Sequence, residues 1–219
     1  MAEHHNHIAI NGNPGTEKEG CSPQSETAMP DYMPVNNYPL HYEKKVVTRT
    51  GIEFFMRPIK PEDAPLLLDM HNHLSPRTKY YRFFSPLNEL PEELLIKFTQ
   101  VDYKKDMALI ALESDEPGAV ILAAARFITR PDCGDAEFAV VSRDEWQGKG
   151  IGRVLLENLI LSAKEKEIEC MCGYVLAENT HMLSLARNLG FHSSKIPGEY
   201  QYFIKIDLKS DAFINKKGV

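Results

Sequence analysis

The chain has 219 residues, 43% of them hydrophobic and 26% charged, with a formal net charge of −6 at pH 7. This composition predicts a globular protein with one good-sized core. The negative charge and the lack of a long lysine and arginine cluster argue against a nucleic-acid-binding surface. No apolar run reaches the ~18 residues of a membrane span, and the polar N-terminus lacks a signal-peptide pattern, so we predict a cytoplasmic protein with no membrane partner.

Composition also divides the chain. Residues 1–40 are rich in Gly, Pro, Asn, Ser, Glu and His and have little periodic hydrophobicity, which is typical of a disordered or extended tail. Residues 210–219 are polar and predict a short C-terminal tail. We therefore expect one domain over residues 41–209, and we find no internal repeat.

The first part of this domain is predicted to contain a hairpin and two helices. Two strand-like segments flank the turn at Arg49-Thr50-Gly51. Pro61 and the acidic residues after it are typical of a first helical turn, and a second helix is predicted over 91–100. Helical spacing in the first helix is shown by Leu66, Leu67, Met70 and Leu74.

The second part alternates strands with helices. Two short apolar runs separated by a turn-forming segment predict paired antiparallel strands. Gly190 is expected to end the last helix. The predicted strands cover residues 107–112, 119–128, 136–142, 170–176 and 199–208, and the predicted helices cover 152–166 and 179–189. The whole order is β-β-α-α-β-β-β-α-β-α-β.

Neither the cysteines nor the histidines predict a metal site. The cysteines are Cys21, Cys133, Cys170 and Cys172. The C-x-x-C pairs that zinc prefers are missing, and thiols two apart on a strand share one face, where a disulfide between them is awkward. The N-terminal histidines, His4, His5 and His7, lie in a segment without preorganised geometry. We expect ordinary thiols and no bound metal.

A glycine-spaced run, Gln147-Gly148-Lys149-Gly150-Ile151-Gly152, lies between a strand-like segment and a helical one. Such a run lets backbone amides turn toward one anion at the positive end of a helix. The dinucleotide fingerprint would need glycine at position 153, which is Arg153, and no Lys followed by Ser or Thr completes a P-loop. An ordinary strand-to-helix turn remains the alternative.

The same run resembles Q/R-x-x-G-x-G/A, the coenzyme A pyrophosphate loop of the GNAT family of N-acetyltransferases. A second segment, from Asn179 to Phe191, resembles the family pattern N-x-x-A-x-x-L-Y-x-x-x-G-F. The resemblance covers about residues 41–208. It implies an α/β fold with a central mixed, mostly antiparallel sheet of six or seven strands and helices on both faces. It also implies an enzyme that uses acetyl-CoA as cosubstrate, with an amine as acceptor.

A narrower resemblance concerns the acceptor. The segments 75–84 and 136–141 resemble the acetyltransferase module of bacterial protein-lysine acetyltransferases. This implies a protein lysine as acceptor, such as the lysine of an acyl-CoA synthetase. The alternative for the first segment is core packing between the first two helices by its aromatic residues. These residues are Tyr80, Tyr81, Phe83 and Phe84.

A lysine acceptor needs a base, because a pKa of ~10.4 leaves only about 0.04% of the amine neutral at pH 7. Glu137 has apolar neighbours in its strand, and these can desolvate a carboxylate and raise its pKa toward the working range. In the enzymes that this chain resembles, a glutamate at this position is the general base. The alternative is an outward-facing strand glutamate in a salt bridge.

The resemblance also assigns the cosubstrate contacts. Backbone groups of Ala139, Val140 and Val141 would pair with the pantetheine arm like an added strand. The pyrophosphate would be held by amides of Gln147, Gly148, Lys149, Gly150, Ile151 and Gly152. The Lys149 side chain adds charge or is simply solvated, and Asn179 contacts pantetheine, caps its helix, or does both.

One departure from the family pattern matters for the chemistry. Many members have a tyrosine in the second motif that protonates the leaving thiolate, and here that position is Ala186. The loss puts a dedicated general acid in doubt and leaves room for a non-catalytic CoA-sensing module. Among enzymes, the alternative to a protein-lysine acetyltransferase is a small-molecule amine acetyltransferase, acting on a polyamine or amino acid. No feature predicts the acyl-chain preference or the oligomeric state.

Overall fold

The structure is a computed structural model that describes residues 37–130 and 134–209. Its strands are β1 (Lys44–Val47), β2 (Glu53–Pro58), β3 (Met107–Leu112), β4 (Ile121–Thr129), β5 (Asp135–Ser142), β6 (Cys170–Leu176), β7 (His192–Lys195) and β8 (Gln201–Asp207). Its helices are α1 (Ala64–Asn72), α2 (Pro76–Phe83), α3 (Glu92–Thr99), α4 (Ile151–Glu165) and α5 (Thr180–Asn188), with 3-10 turns at Leu40–Tyr42, Pro61–Asp63 and Asp144–Trp146.

All the strands join one sheet in the order β1-β2-β3-β4-β5-β6-β8-β7. Neighbours are antiparallel except β5 and β6, which run parallel. The predicted class, a mixed and mostly antiparallel sheet covered by helices, is confirmed. The sheet in the described residues has eight strands, not six or seven, because β7 adds a short strand at one edge.

The register of β5 decides which side chains meet each helix layer. A Cβ placed on Gly152, in the first turn of α4, would contact Ser142 and Val140, so α4 covers that face of β5. Ala139 and Val141 point to the opposite face, where α1, α2 and α3 pack. Residues of one strand that are two apart share a face. Glu137 therefore faces α1–α3.

Two elements are absent from the sequence-based prediction. Helix α2 begins at Ser75, whose hydroxyl accepts a hydrogen bond from the Thr78 backbone N–H at 3.2 Å, with proline in the first turn. It ends at Phe84, which has a left-handed φ of +58°. Strand β7 pairs only with β8, and all four of its residues are exposed.

The packed structure begins before β1. The Tyr38 hydroxyl donates to Glu43 at 2.6 Å, and its ring meets Tyr103 edge-on at 5.8 Å between centroids. The predicted tails, except residues 37–40 of the first, lie outside the described residues, and so do Cys21, Cys133 and the three N-terminal histidines. The domain boundaries stay a prediction. Within the described ranges, no helix is both long and apolar enough to cross a membrane.

Candidate active site

The sheet opens between β5 and β6. These strands pair at only three positions, ending with Glu137 opposite Cys172, although both strands continue beyond that point. Gly173 follows immediately, and a Cβ on it would lie 3.2 Å from the Phe138 carbonyl oxygen and ring. Glycine thus permits the close approach at the point where the strands part. We call the opening beyond it the cleft.

Glu137, the predicted general base, lies where the cleft begins. Its side chain is buried, with 6% relative exposure. Burial raises the pKa of Cys172 and of Tyr174, and the charge of Glu137 adds to both shifts. The same charge supports the charged form of Arg82. Phe138 packs on Phe191 instead, with ring centroids 5.1 Å apart. A carboxylate is therefore held at the base of the cleft.

Arg82 is a site residue that sequence reasoning missed. It comes from α2, is buried, and lines the cleft together with Glu137. Its guanidinium stacks on Phe83 at 4.9 Å and on Phe98 at 5.5 Å. Burial and, to a smaller extent, the charge of Arg126 lower the pKa of Arg82 to about 9, and Glu137 opposes both. Arg82 remains a cation at neutral pH.

The aromatic segment divides between the core and the cleft. Phe83 is buried and stacks on Phe98 at 6.4 Å, as expected for core packing. Tyr81 and Phe84 line the cleft, and Tyr80 is 40% exposed. Core packing therefore accounts for Phe83 but not for the whole segment.

The run Gln147–Gly152, which we call the glycine cradle, has the geometry of an anion site. Gly148 and Gly150 have left-handed φ values of +73° and +89°. The α4 amides before Val154, whose N–H bonds to the Gly150 carbonyl at 3.1 Å, precede the first intrahelical hydrogen bond. These amides lie at the positive end of the helix. The cradle fits a pyrophosphate.

The β1–β2 turn and α2 hold the cradle in place. Thr50 donates its hydroxyl to the Lys149 carbonyl at 2.7 Å, and a Cβ on Gly150 would lie 3.3 Å from the Cβ of Thr48. The Gln147 side-chain amide donates to Thr78 of α2 at 3.1 Å. The Lys149 ammonium lies 4.4 Å from the Trp146 ring centroid. The Lys149 side chain therefore contacts the Trp146 ring. Its predicted role, added charge beside the pyrophosphate, stays a prediction.

Asn179 caps α5, because its side-chain oxygen accepts the Met182 N–H at 3.2 Å. It also lines the cleft. The two roles that the sequence left open for Asn179, a helix cap and a contact to pantetheine, are thus physically compatible. Ala186, on the same helix, is buried with 1% exposure and takes no part in the cleft lining.

We expect Asn179→Ala to lower the free energy of unfolding by about 1 kcal/mol, because it removes the cap. Asn179→Ser keeps a capping oxygen, adds no charge and removes the amide donor. If that amide contacts pantetheine, the Asn179→Ser variant keeps its stability and binds acetyl-CoA more weakly. Urea unfolding and calorimetric titration with acetyl-CoA measure both effects. Wild-type affinity in Asn179→Ser would leave Asn179 as a cap alone.

The described residues offer other hydroxyls in place of the missing tyrosine. Tyr81 and Tyr174 both line the cleft. The Tyr81 hydroxyl accepts a hydrogen bond from Arg77 at 2.8 Å, and burial raises the pKa of Tyr174.

Across residues 37–130 and 134–209 no group of three or more His, Cys, Asp or Glu side chains could hold a metal ion.

An acetyltransferase is the class that this divided sheet and glycine cradle define. Residues 53–192 match the family model described as "Acetyltransferase (GNAT) domain", and the chain belongs to this family. It is an N-acetyltransferase, and its cosubstrate is acetyl-CoA.

Several curated relatives carry acetyltransferase names. Acetyltransferase PA5475 of Pseudomonas aeruginosa is 30% identical over 68% of this chain and 80% of its own length. Acetyltransferase Pat of Mycolicibacterium smegmatis is 32% identical over 66% of this chain. This chain spans only 43% of the Pat protein.

Solved structures agree in fold. The GNAT domain of S. lividans PAT is 29% identical with a TM-score of 0.70, over 78% of this chain and 99% of that one. A Salmonella typhimurium structure, yncA with acetyl-CoA, has a TM-score of 0.58 at 20% identity, over 73% of this chain and 96% of that one. The second comparison supports the fold only.

Proposed function

We propose that the chain transfers the acetyl group of acetyl-CoA to a lysine side chain of a protein, with Glu137 as general base. The observation that carries the proposal is the buried Glu137 carboxylate at the point where β5 and β6 part. The similarity of this protein to Pat and to the S. lividans PAT domain supports the choice of a protein lysine as acceptor. A protein of the acyl-CoA synthetase class is the acceptor to test first.

The cosubstrate would lie along the cleft. Backbone groups of Ala139, Val140 and Val141 run along its β5 side, and the glycine cradle stands near the far end of that strand. In this placement, the pantetheine arm replaces the missing β6 partner as an added strand. The amides of Gln147–Gly152 hold the pyrophosphate, and the thioester reaches Glu137.

The chemistry then needs few groups. A lysine ammonium loses its proton to the Glu137 carboxylate, directly or through water. The neutral amine attacks the thioester carbonyl carbon, and the nitrogen loses its second proton as the carbon–sulfur bond breaks and CoA leaves as its thiolate. With Ala186 at the tyrosine position, this thiolate takes a proton from solvent or receives that second proton of the amine, which its ordinary thiol pKa of roughly 8.5 allows.

The test measures CoA release from acetyl-CoA with three kinds of acceptor: folded acyl-CoA synthetases, free polyamines and free amino acids. We expect turnover with at least one synthetase, and mass spectrometry should place the acetyl group on one lysine. The Glu137→Gln variant is the control for enzyme-independent acetylation. Turnover with polyamines or amino acids alone would make this a small-molecule acetyltransferase. Binding of acetyl-CoA without turnover on any acceptor would favour the CoA-sensing module, which the missing tyrosine leaves open.

A further inference from the structure

A second cavity, the inner cavity, lies beneath α1–α3 and adjoins the cleft. Arg82 and Ala139 line both spaces. The inner cavity encloses about 60 Å³, and one water needs roughly 10–15 Å³ on this measure, so about four to six atoms of that size fit. Its walls are mostly apolar, with Leu67, Met70 and Val141 among them. The cavity is therefore shaped for a short chain.

Two polar side chains in this apolar wall hold buried nitrogen atoms that make no well-aligned hydrogen bond within the described residues. His71 is 3% exposed, and although the Asn72 side chain and the Leu87 backbone act on its ring, neither ring nitrogen makes a hydrogen bond of normal geometry to them. Arg126 is 8% exposed, and its Nε is likewise without a partner within the described chain. Its other contact, from Nη1 to the Lys97 carbonyl, is long at 3.3 Å. Because buried polar groups are normally satisfied, a polar ligand is the natural partner here.

The charge in the cavity wall points to an anion. Arg82 and Arg126 both stack on the Phe98 ring, at 5.5 Å and 5.0 Å, so two buried cations share one ring. The carboxylates acting on them are Glu137, near Arg82, and Asp106, near Arg126. No carboxylate in residues 37–130 or 134–209 lies within 4.0 Å of the Arg126 guanidinium. A buried cation without an ion pair is costly.

The register decides which side chains share a face of the sheet with Arg126. Arg126 of β4 is directly opposite Ala139 of β5, so the two side chains share a face. Glu137 lies two residues along the same strand, on the same face. Arg126 and Ala139 also line the same inner cavity. An acyl chain that extends from Ala139 across toward β4 therefore meets the Arg126 side chain.

We propose that the inner cavity receives the acyl chain of a dicarboxylic acyl-CoA of about four carbons, whose free carboxylate binds Arg126 and His71. The enzyme would then transfer such an acyl group in addition to the acetyl group. The inference rests on the proposed placement of the thioester beside Glu137. The bond changes are those of acetyl transfer: the amine attacks the thioester carbonyl, the carbon–sulfur bond breaks, and the distal carboxylate is unchanged. The apolar walls contact the methylene groups of the acyl chain, and the nitrogens of Arg126 and His71 donate hydrogen bonds to its carboxylate.

The test is calorimetric titration of the full chain with acetyl-CoA, butyryl-CoA and succinyl-CoA. Butyryl and succinyl groups have equal carbon number, so the pair isolates the carboxylate. We expect succinyl-CoA to bind at least about fivefold more tightly than butyryl-CoA, since charge-assisted hydrogen bonds form in a buried site. Equal affinity, or a preference for butyryl-CoA, would overturn the proposal without any variant.

Variants then locate the effect. Arg126→Met should weaken succinyl-CoA at least about fivefold and leave acetyl-CoA within about twofold. Ala124→Leu, which fills the cavity from β4, should weaken both four-carbon ligands and spare acetyl-CoA. Equal loss for all three ligands in Arg126→Met would make Arg126 structural and contradict the proposal. Tight acetyl-CoA binding without succinyl preference refutes this inference alone, whereas no binding of any acyl-CoA refutes the proposed function as well.

Discussion

Glu137→Gln is expected to lower kcat for acetyl transfer at least about 100-fold, because a positioned general base contributes on the order of 10²–10⁴. The amide keeps the shape of the side chain and cannot accept the lysine proton. Acetyl-CoA affinity should stay within about twofold, since the glycine cradle is far along β5 from this residue. CoA release under saturating acceptor measures kcat, and calorimetry measures affinity.

Glu53→Gln is the matched control. Glu53 is also a strand glutamate, but it is exposed on β2 and outside the cleft. It should retain wild-type kcat. A Glu137→Gln enzyme with full turnover across the pH range would remove the base assignment, and a Glu53→Gln enzyme that is equally impaired would point to a general charge effect.

Gly150→Ala should weaken acetyl-CoA binding about 5- to 30-fold, because alanine resists the left-handed region by roughly 1–2 kcal/mol. Gly150 has a φ of +89°, and its new Cβ would approach Thr48 to 3.3 Å. The free protein can relax by moving the cradle, so binding must restore a strained conformation. Calorimetric titration gives the change in Kd directly.

Gly118→Ala separates strain from function. Gly118 has nearly the same φ, +88°, in the β3–β4 turn, and nothing lies within 4 Å of its virtual Cβ. Both variants carry the same backbone penalty, and only Gly150 belongs to the cradle. Affinity should stay within about twofold in Gly118→Ala. Equal weakening in the two variants would show that the cradle geometry does not select the pyrophosphate.

Strong periodicity and turn chemistry explain which elements could be predicted. Strands β3 and β6 have the predicted bounds, since each is a largely apolar run that follows an acidic residue, Asp106 or Glu169. Helix α2 was missed although Ser75 and Pro76 form a recognisable start, because its aromatic residues dominate the pattern. Strand β7 has no buried face, so no alternation marks it. Its pairing with β8 is a tertiary effect.

The site divides in the same way. Glu137 and the glycine cradle are local features with a family pattern, and the structure brings them to one cleft, although their roles stay predictions. The approach of Arg82 to Glu137 depends on how α2 packs on β5, which no spacing in the sequence encodes. The opening itself depends on pairing between β5 and β6, 28 residues apart at the least separated ends (142 to 170). Long-range register of this kind is beyond local patterns.

The short β5–β6 pairing leaves an edge in the interior of the sheet. Unpaired strand edges are sites where another polypeptide can add and start aggregation. Here the edge lies at the floor of a cleft whose walls include Tyr81 and Phe84 of the α2 segment and Met182 of α5. We infer that these walls admit a slender pantetheine arm and exclude a chain bearing side chains on both faces. The side chains that shape the site therefore also protect the protein from self-association.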